Sequence, residues 1–314
     1  MKKILFMAIA LASTLPGLNS CSRCSNGETE QGISQDSAAG GTLQSASRTQ
    51  STDMSNDNDQ NLHGYRYAYD KSSEYEDGIM EGMPDYLAIP AHLEAMEEEI
   101  LTHKCYVVSY NHSTRLANWV AWHLTSAHAQ GDVERPERAF NDDPQVEGCT
   151  HYWEYKSSHA YDRGHMCPAG DNRWDEVAML ESFYMTNILP QHRSLNGGIW
   201  NDIEQQCREW AKSEGDIYIV SGPIFFENRH GEQKTLGVNK IPIPDAFFKV
   251  VMSNHGKGKG IGFVCENRNC GGYIDEYTLS IDDVEAITGI DFFPALPDDM
   301  EERIEGEIGK FPLI

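Results

Sequence analysis

Tyr161-Asp162-Arg163-Gly164-His165-Met166-Cys167-Pro168-Ala169-Gly170-Asp171 sets a guanidinium and an imidazole two residues apart, with a glycine between them. Histidine is the side chain suited to take up a proton near neutrality, with an ordinary pKa of ~6.5. Arginine offers a planar fork of donors that stays charged and matches a phosphate. The glycine reads as the point where the backbone turns sharply. The expectation is therefore a base and a phosphate clamp on one tight turn, a pairing suited to phosphodiester cleavage. A tetrapeptide alone is weak evidence, so the residues that follow carry the argument.

Downstream lie Tyr184-Met185-Thr186-Asn187-Ile188-Leu189-Pro190-Gln191 and then Ser194-Leu195-Asn196-Gly197-Gly198-Ile199-Trp200. From Ile199 to Lys212 the residues Ile199, Ile203, Gln206/Cys207 and Trp210 recur at helical spacing. Asn196 is expected at the start of that helix, where a short amide is favoured. Glu204 and Arg208 lie four apart and share one face. A neutral amide together with water ligands suits Mg²⁺, which keeps much of its hydration shell, with Mn²⁺ the alternative ion. Further helices are expected at Glu176–Tyr184 and Ile281–Thr288, and a short acidic one over Pro90–Leu101. Alternation and β-branched or aromatic content predict strands at Lys104–Tyr110, Trp119–Leu124, Asp216–Ser221, Phe247–Ser253 and Gly260–Val264. Strand pairs mixed with helices, without regular alternation, indicate an α+β fold. Trp119, Trp122, Trp200 and Trp210 read as core.

These segments together resemble the DNA/RNA non-specific endonuclease family, whose active site is a ββα-metal (His-Me finger) motif. Leu116–Thr125, Arg138-Ala139-Phe140-Asn141-Asp142-Asp143-Pro144, Val220–Phe225 and Ala295–Asp299 extend the likeness in the same order, over roughly residues 100–310. The resemblance implies a central antiparallel sheet with helices on both faces. It implies hydrolysis of DNA and RNA with one divalent metal, without regard to sequence or sugar. By the same resemblance His165 is the general base, Asn196 the sole protein ligand of the metal, and Glu204 the carboxylate that orders metal-bound water. Arg163, Arg138 and Arg208 would hold the scissile phosphate, and Asn187 would support the site. Two alternatives are a non-catalytic surface protein that binds nucleic acid or a partner protein, and a phosphodiesterase of small substrates. A zinc site from Cys149, His151, His165 and Cys167 would consume the base, and its spacing matches no common pattern.

Lys2 and Lys3 precede an apolar run from Ile4 to Leu15, too short to span a bilayer. Leu18-Asn19-Ser20-Cys21 resembles a bacterial lipoprotein cleavage site, with Cys21 lipidated. The expected layout is a signal peptide over 1–20, a flexible polar tether over 21–90, and the nuclease-like domain over 91–314. The tether is rich in Ser, Gly, Asn, Gln and Asp and lacks the apolar residues to fold. The protein is thus expected to be exported, facing the periplasm or cell surface on a membrane anchor, or secreted. Eight cysteines suit that setting, with Cys265–Cys270 the favoured disulfide.

The net charge of −24 opposes long-range attraction of a polyanion. Part lies upstream: residues 28–100 hold 16 acidic groups against 3 basic ones. A local cluster of Arg138, Arg163, Arg173, Arg193 and Arg208 with a divalent ion would have to bind phosphate against this background.

Overall fold

The computed structural model describes residues 85–137, 139–226 and 231–312. The signal segment, Cys21, the tether through residue 84, and Arg138 lie outside these described residues.

A seven-stranded, wholly antiparallel sheet forms the frame, in the order β1-β2-β3-β6-β9-β10-β11. Its strands are β1 (Glu99–Thr102), β2 (Val107–Asn111), β3 (Leu116–Thr125), β6 (Asp216–Ile224), β9 (Ala246–Ser253), β10 (Lys259–Glu266) and β11 (Thr278–Leu279). Two ribbons stand apart from it: β4 (Tyr161–His165) with β5 (Ile188–His192), and β7 (Thr235–Leu236) with β8 (Ile241–Pro242). The helices are α1 (Glu176–Glu181), α2 (Arg193–Asn196), α3 (Ile199–Glu214), α4 (Ile281–Thr288) and α5 (Asp298–Glu305).

Successive residues of a strand face opposite ways, which splits the core into two layers. Ile217, Ile219, Phe247 and Val251 face Trp200, Ile203 and Trp210 of α3. Tyr218, Val220, Phe248 and Val250 face Ile281 and Val284 of α4 and Ile304 of α5. Every residue of β9 is buried, because layers cover both faces of this central strand. The α+β class and the helix-covered antiparallel sheet agree with the sequence reading, and the four tryptophans are buried core residues.

Local chemistry accounts for the helix ends. Asp175 accepts from the N–H groups of Val177 and Ala178 to open α1, and Ser280 accepts from Asp283 N–H to open α4. Gly289, at φ 70°, closes α4 in the left-handed region.

The acidic helix expected over Pro90–Leu101 does not form. Its glutamates are held by other partners: Glu98 accepts from Leu93 N–H, Glu97 from Ser113 N–H and Oγ, and Glu99–Thr102 pair with β2 as an edge strand. Tertiary pairing overrides a propensity worth only tenths of a kcal/mol per residue. Leu87 and Ala88, inside the expected tether, are buried in the α4–α5 layer, so the folded chain is already under way there. The six described cysteines are free thiols. The expected Cys265–Cys270 clip is not formed, and Cys270 Sγ instead lies 3.2 Å from the Glu266 carbonyl. No helix among the described residues is long and apolar enough to cross a membrane.

Candidate active site

The Arg163–His165 segment is not a turn. It is the strand β4, paired with β5 so that His165 lies opposite Ile188 and Gly164 opposite Leu189. Arg163 and His165 share a face because they are two apart in a strand, not because the chain bends. Gly164 does not adopt a positive φ. A Cβ there would come within 2.4 Å of Gln191 Oε1 and 2.5 Å of Gln191 Cβ. The glycine is required for close approach of β5.

Phe140 and Phe183, edge to face at 5.2 Å, form an apolar platform beneath the site. The His165 ring meets Phe183 in a T at 4.9 Å and lies 5.6 Å from Phe140. Arg163 stacks over Phe140 at 4.1 Å, and Arg135 over Phe183 at 4.6 Å. Two guanidiniums and one imidazole therefore share two aromatic rings. Burial, with the Arg135 and Arg163 charges added, pushes the His165 imidazole down to about 3. Its Nε2 is buried with no hydrogen-bond partner. The ring is neutral near pH 7 and able to accept a proton. Arg135 was missed by the sequence reading, which had placed the loop's cation at Arg138. The available signal was a second arginine upstream of Phe140.

Asn187 holds this motif from behind. Its Oδ1 accepts from Cys167 N–H at 2.9 Å, and its Nδ2 donates to the Cys167 and Ser182 carbonyls at 2.8 Å each. Buried and fully engaged, it positions the chain after His165. The loop carrying Arg135 and Phe140 is tied down at Asp143, which accepts from Thr186 Oγ1 at 2.6 Å and Gln145 N–H at 2.9 Å.

Asn196 does not begin the long helix. It ends the short α2, and the Gly197-Gly198 break follows; Gly198, without a capping side chain, opens α3. Its amide is thus not spent on a cap. Nδ2 lies 3.5 Å from Asp162 Oδ2, and Arg193 Nε donates to Asp162 Oδ1 at 3.1 Å. Asn196 Oδ1 accepts no hydrogen bond from the described residues.

From α3, Glu204 and Arg208 meet different surroundings. Burial raises Glu204 to about 7, although Lys249 and Arg208 pull in the other direction. Arg208 donates to buried Asp171 at 2.9 Å, and Asp171 also accepts from Trp122 Nε1 at 3.1 Å. Arg208 thus pairs through Nη1 with Asp171, with Gly170 leaving space for its guanidinium: a Cβ there would be 2.7 Å from Nη1. Lys249, buried on β9, has its Nζ between the Trp122 and Trp200 rings at 4.7 and 4.8 Å. Sequence reading had not singled out Lys249 or Asp171. Arg193 is paired with Asp162, whereas Arg173 Nε donates to the Val133 carbonyl at 3.4 Å.

An amide oxygen that accepts no hydrogen bond from the described residues, and a half-buried carboxylate in the second turn of the following helix, are groups that suit a hard divalent cation that keeps several waters. Asn196 would hold it, and Glu204 would order its water. The Cys/His zinc set is not assembled: His151 contacts Asp142 at 2.7 Å, and Asn172 donates to Cys167 Sγ at 3.4 Å.

Several known proteins share this arrangement of chain. Mitochondrial nuclease EXOG of Danio rerio is 35% identical over 205 residues, covering 61% of this chain and 60% of that protein. Mitochondrial endonuclease G of Caenorhabditis elegans is 34% identical over 217 residues, covering 63% and 68%. Nuclease C1 of Cunninghamella echinulata var. echinulata is 32% identical over 212 residues, covering 63% and 84%. The chain spans about 60% of the length of the EXOG relatives that it matches. A crystal structure of the EndoG/EndoGI complex superposes with a TM-score of 0.61 at 26% identity, over 65% of this chain and 89% of that one. The family model described as DNA/RNA non-specific endonuclease matches residues 87–299, from the first buried turn through the sheet and the site to the start of α5, and the chain belongs to that family.

Proposed function

We propose that this protein is a divalent-metal-dependent endonuclease that hydrolyses phosphodiester bonds of DNA and RNA without reading sequence or sugar. The observation that carries the reading is a neutral, half-buried imidazole with its Nε2 enclosed, beside two guanidiniums on the Phe140/Phe183 platform. Arg163 and Arg135 hold a phosphate in line with His165, and His165 takes the proton of the attacking water. The bound phosphate offsets both guanidinium charges, which raises the imidazole toward its ordinary pKa when a base is needed. Asn196 would hold the metal, Mg²⁺ or Mn²⁺, and Glu204 would order its water. Such an ion would supply Lewis-acid polarisation of the phosphoryl group and stabilisation of the leaving oxygen. None of these groups addresses a base edge, so selection by sequence is not expected. Arg138 joins the phosphate contacts through the resemblance alone. Arg208 acts through Asp171 and Glu204 by shaping the charge of the site.

The same reading takes the chain as an exported lipoprotein anchored at Cys21. The sequence from Lys2 to Cys21 supports this.

Digestion of plasmid and of RNA by the purified domain, with Mg²⁺ and with EDTA, tests the proposal. Cleavage of both polymers that EDTA abolishes is expected. No metal-dependent cleavage of either across a broad pH range would overturn it.

A further inference from the structure

On the far side of the sheet from His165 and Asn196, three carboxylates converge. Asp282 and Glu285 project from α4, and Glu305 ends α5; one oxygen of each lies within 4.8 Å of the others. They are the only group of three or more His, Cys, Asp or Glu side chains so arranged among the described residues. An acidic cluster at a surface is by itself unremarkable. Glu305 makes this one different: it is 4% exposed, and its Oε1 is buried with no hydrogen-bond partner. A buried, unpartnered carboxylate oxygen is costly unless a cation or a proton meets it.

Among the described residues no side-chain cation pairs with it. Arg303, on the same helix, donates to the Lys257 carbonyl. The other charges that act on Glu305 are acidic as well: Glu301 of α5, and Asp291 in the segment after α4. Glu285 Oε1 accepts from Phe292 N–H at 2.7 Å, so this carboxylate has one hydrogen bond from the backbone and none from a side-chain cation among the described residues. Asp282 Oδ2 sits over the glycine that follows α5, within 3.5 Å of where a Gly306 Cβ would lie. The cluster is open to solvent at Asp282 and closed at Glu305.

Oxygens around a Ca²⁺ at 2.3–2.6 Å are at most about 5 Å apart, a spread that the three carboxylates meet. Mg²⁺ demands near-ideal octahedral geometry and shorter bonds, which an irregular set from two helices suits less well. We infer that Asp282, Glu285 and Glu305 form a Ca²⁺ site that staples α4 to α5 across the outer layer of the sheet, separate from the candidate active site. Water fills the remaining positions on the Asp282 side. With three protein carboxylates, affinity in the range of weak calcium modules is expected, on the order of 10⁻⁴–10⁻³ M.

Calorimetric titration of Ca²⁺, with melting curves in Ca²⁺ and in EDTA, tests this on the wild-type protein, Glu305→Gln and Asp282→Asn. The wild type should melt higher in Ca²⁺. Each variant should bind one Ca²⁺ fewer per chain and lose the associated rise. In EDTA, Glu305→Gln should melt no lower than the wild type, because a neutral amide replaces a crowded carboxylate. Asp282→Asn, at an exposed position, gives the same reading should the buried substitution impair folding. Mg²⁺-dependent cleavage should persist in both, which separates this site from the active-site metal. Equal Ca²⁺ stoichiometry in wild type and variants would overturn the inference, and so would a wild type that Ca²⁺ does not stabilise.

Discussion

The Asn187 side chain clasps the main chain of Cys167 on both sides, accepting from its N–H at 2.9 Å and donating to its carbonyl at 2.8 Å. Cys167 is two residues beyond His165, so the clasp fixes where the imidazole points. Asn187→Leu removes both bonds and the third to Ser182. Each buried backbone group left unpaired costs about 1–3 kcal/mol. Denaturant unfolding should show a loss of that order or more, and kcat measured on the folded protein should fall as well.

His165→Ala should lower kcat by roughly 10²–10⁴-fold, the usual contribution of a general base, while leaving metal binding nearly intact. Asn196→Ala should instead raise the metal concentration needed for half-maximal cleavage. Metal titrations of activity and direct metal binding on both variants check the assignment. The reverse pattern would mean that the two roles are exchanged.

The depressed His165 pKa has a consequence for stability. The folded imidazole stays neutral down to about 3, whereas the unfolded one takes its proton near ~6.5. Its contribution is thus fully present above ~6.5 and is lost as pH falls through that window toward about 3. Unfolding free energies at a series of pH values should decline less steeply for His165→Asn than for the wild type below neutrality.

Lys249, held between Trp122 and Trp200, lowers the Glu204 pKa against the effect of burial. In Lys249→Met, Glu204 should protonate at higher pH than about 7. In the metal-free protein the Glu204 titration should move up by roughly 1–3 units, the scale of one close opposite charge. An unchanged titration with lower stability would mean that Lys249 only packs.

Deletion of residues 1–84 should leave a folded, metal-dependent enzyme, since Leu87 and Ala88 are the earliest described core residues. Loss of the acidic segment should also tighten nucleic-acid binding modestly at low salt. Melting curves and low-salt binding of the truncated chain check both.

Much of this protein is legible without coordinates. The spacing of Ile199, Ile203 and Trp210, the Ser280 cap and the buried runs of β6 and β9 are local patterns, so their elements follow from short stretches of chain. The order of motifs around Arg163, His165 and Asn196 is linear too, and it sufficed to indicate the family. What the sequence could not specify is pairing across distance. That Arg163 and His165 share a strand face depends on β5 lying beside β4, and Gly164 makes sense only once Gln191 is seen against it. Arg208 and Asp171 are 37 residues apart, and the ion pair between them, which engages Nη1 of the guanidinium, could not be read from either segment alone. Arg135, Phe183 and Lys249 enter the site from separate segments, brought there by burial of apolar area that no single window of sequence encodes. Glutamates at 97–99 favour helix locally, yet β2 and the 113 turn offered them better partners. Local propensity set the elements; the competition among long-range contacts, each worth more than a propensity, decided which charges face the site and which are spent in the core.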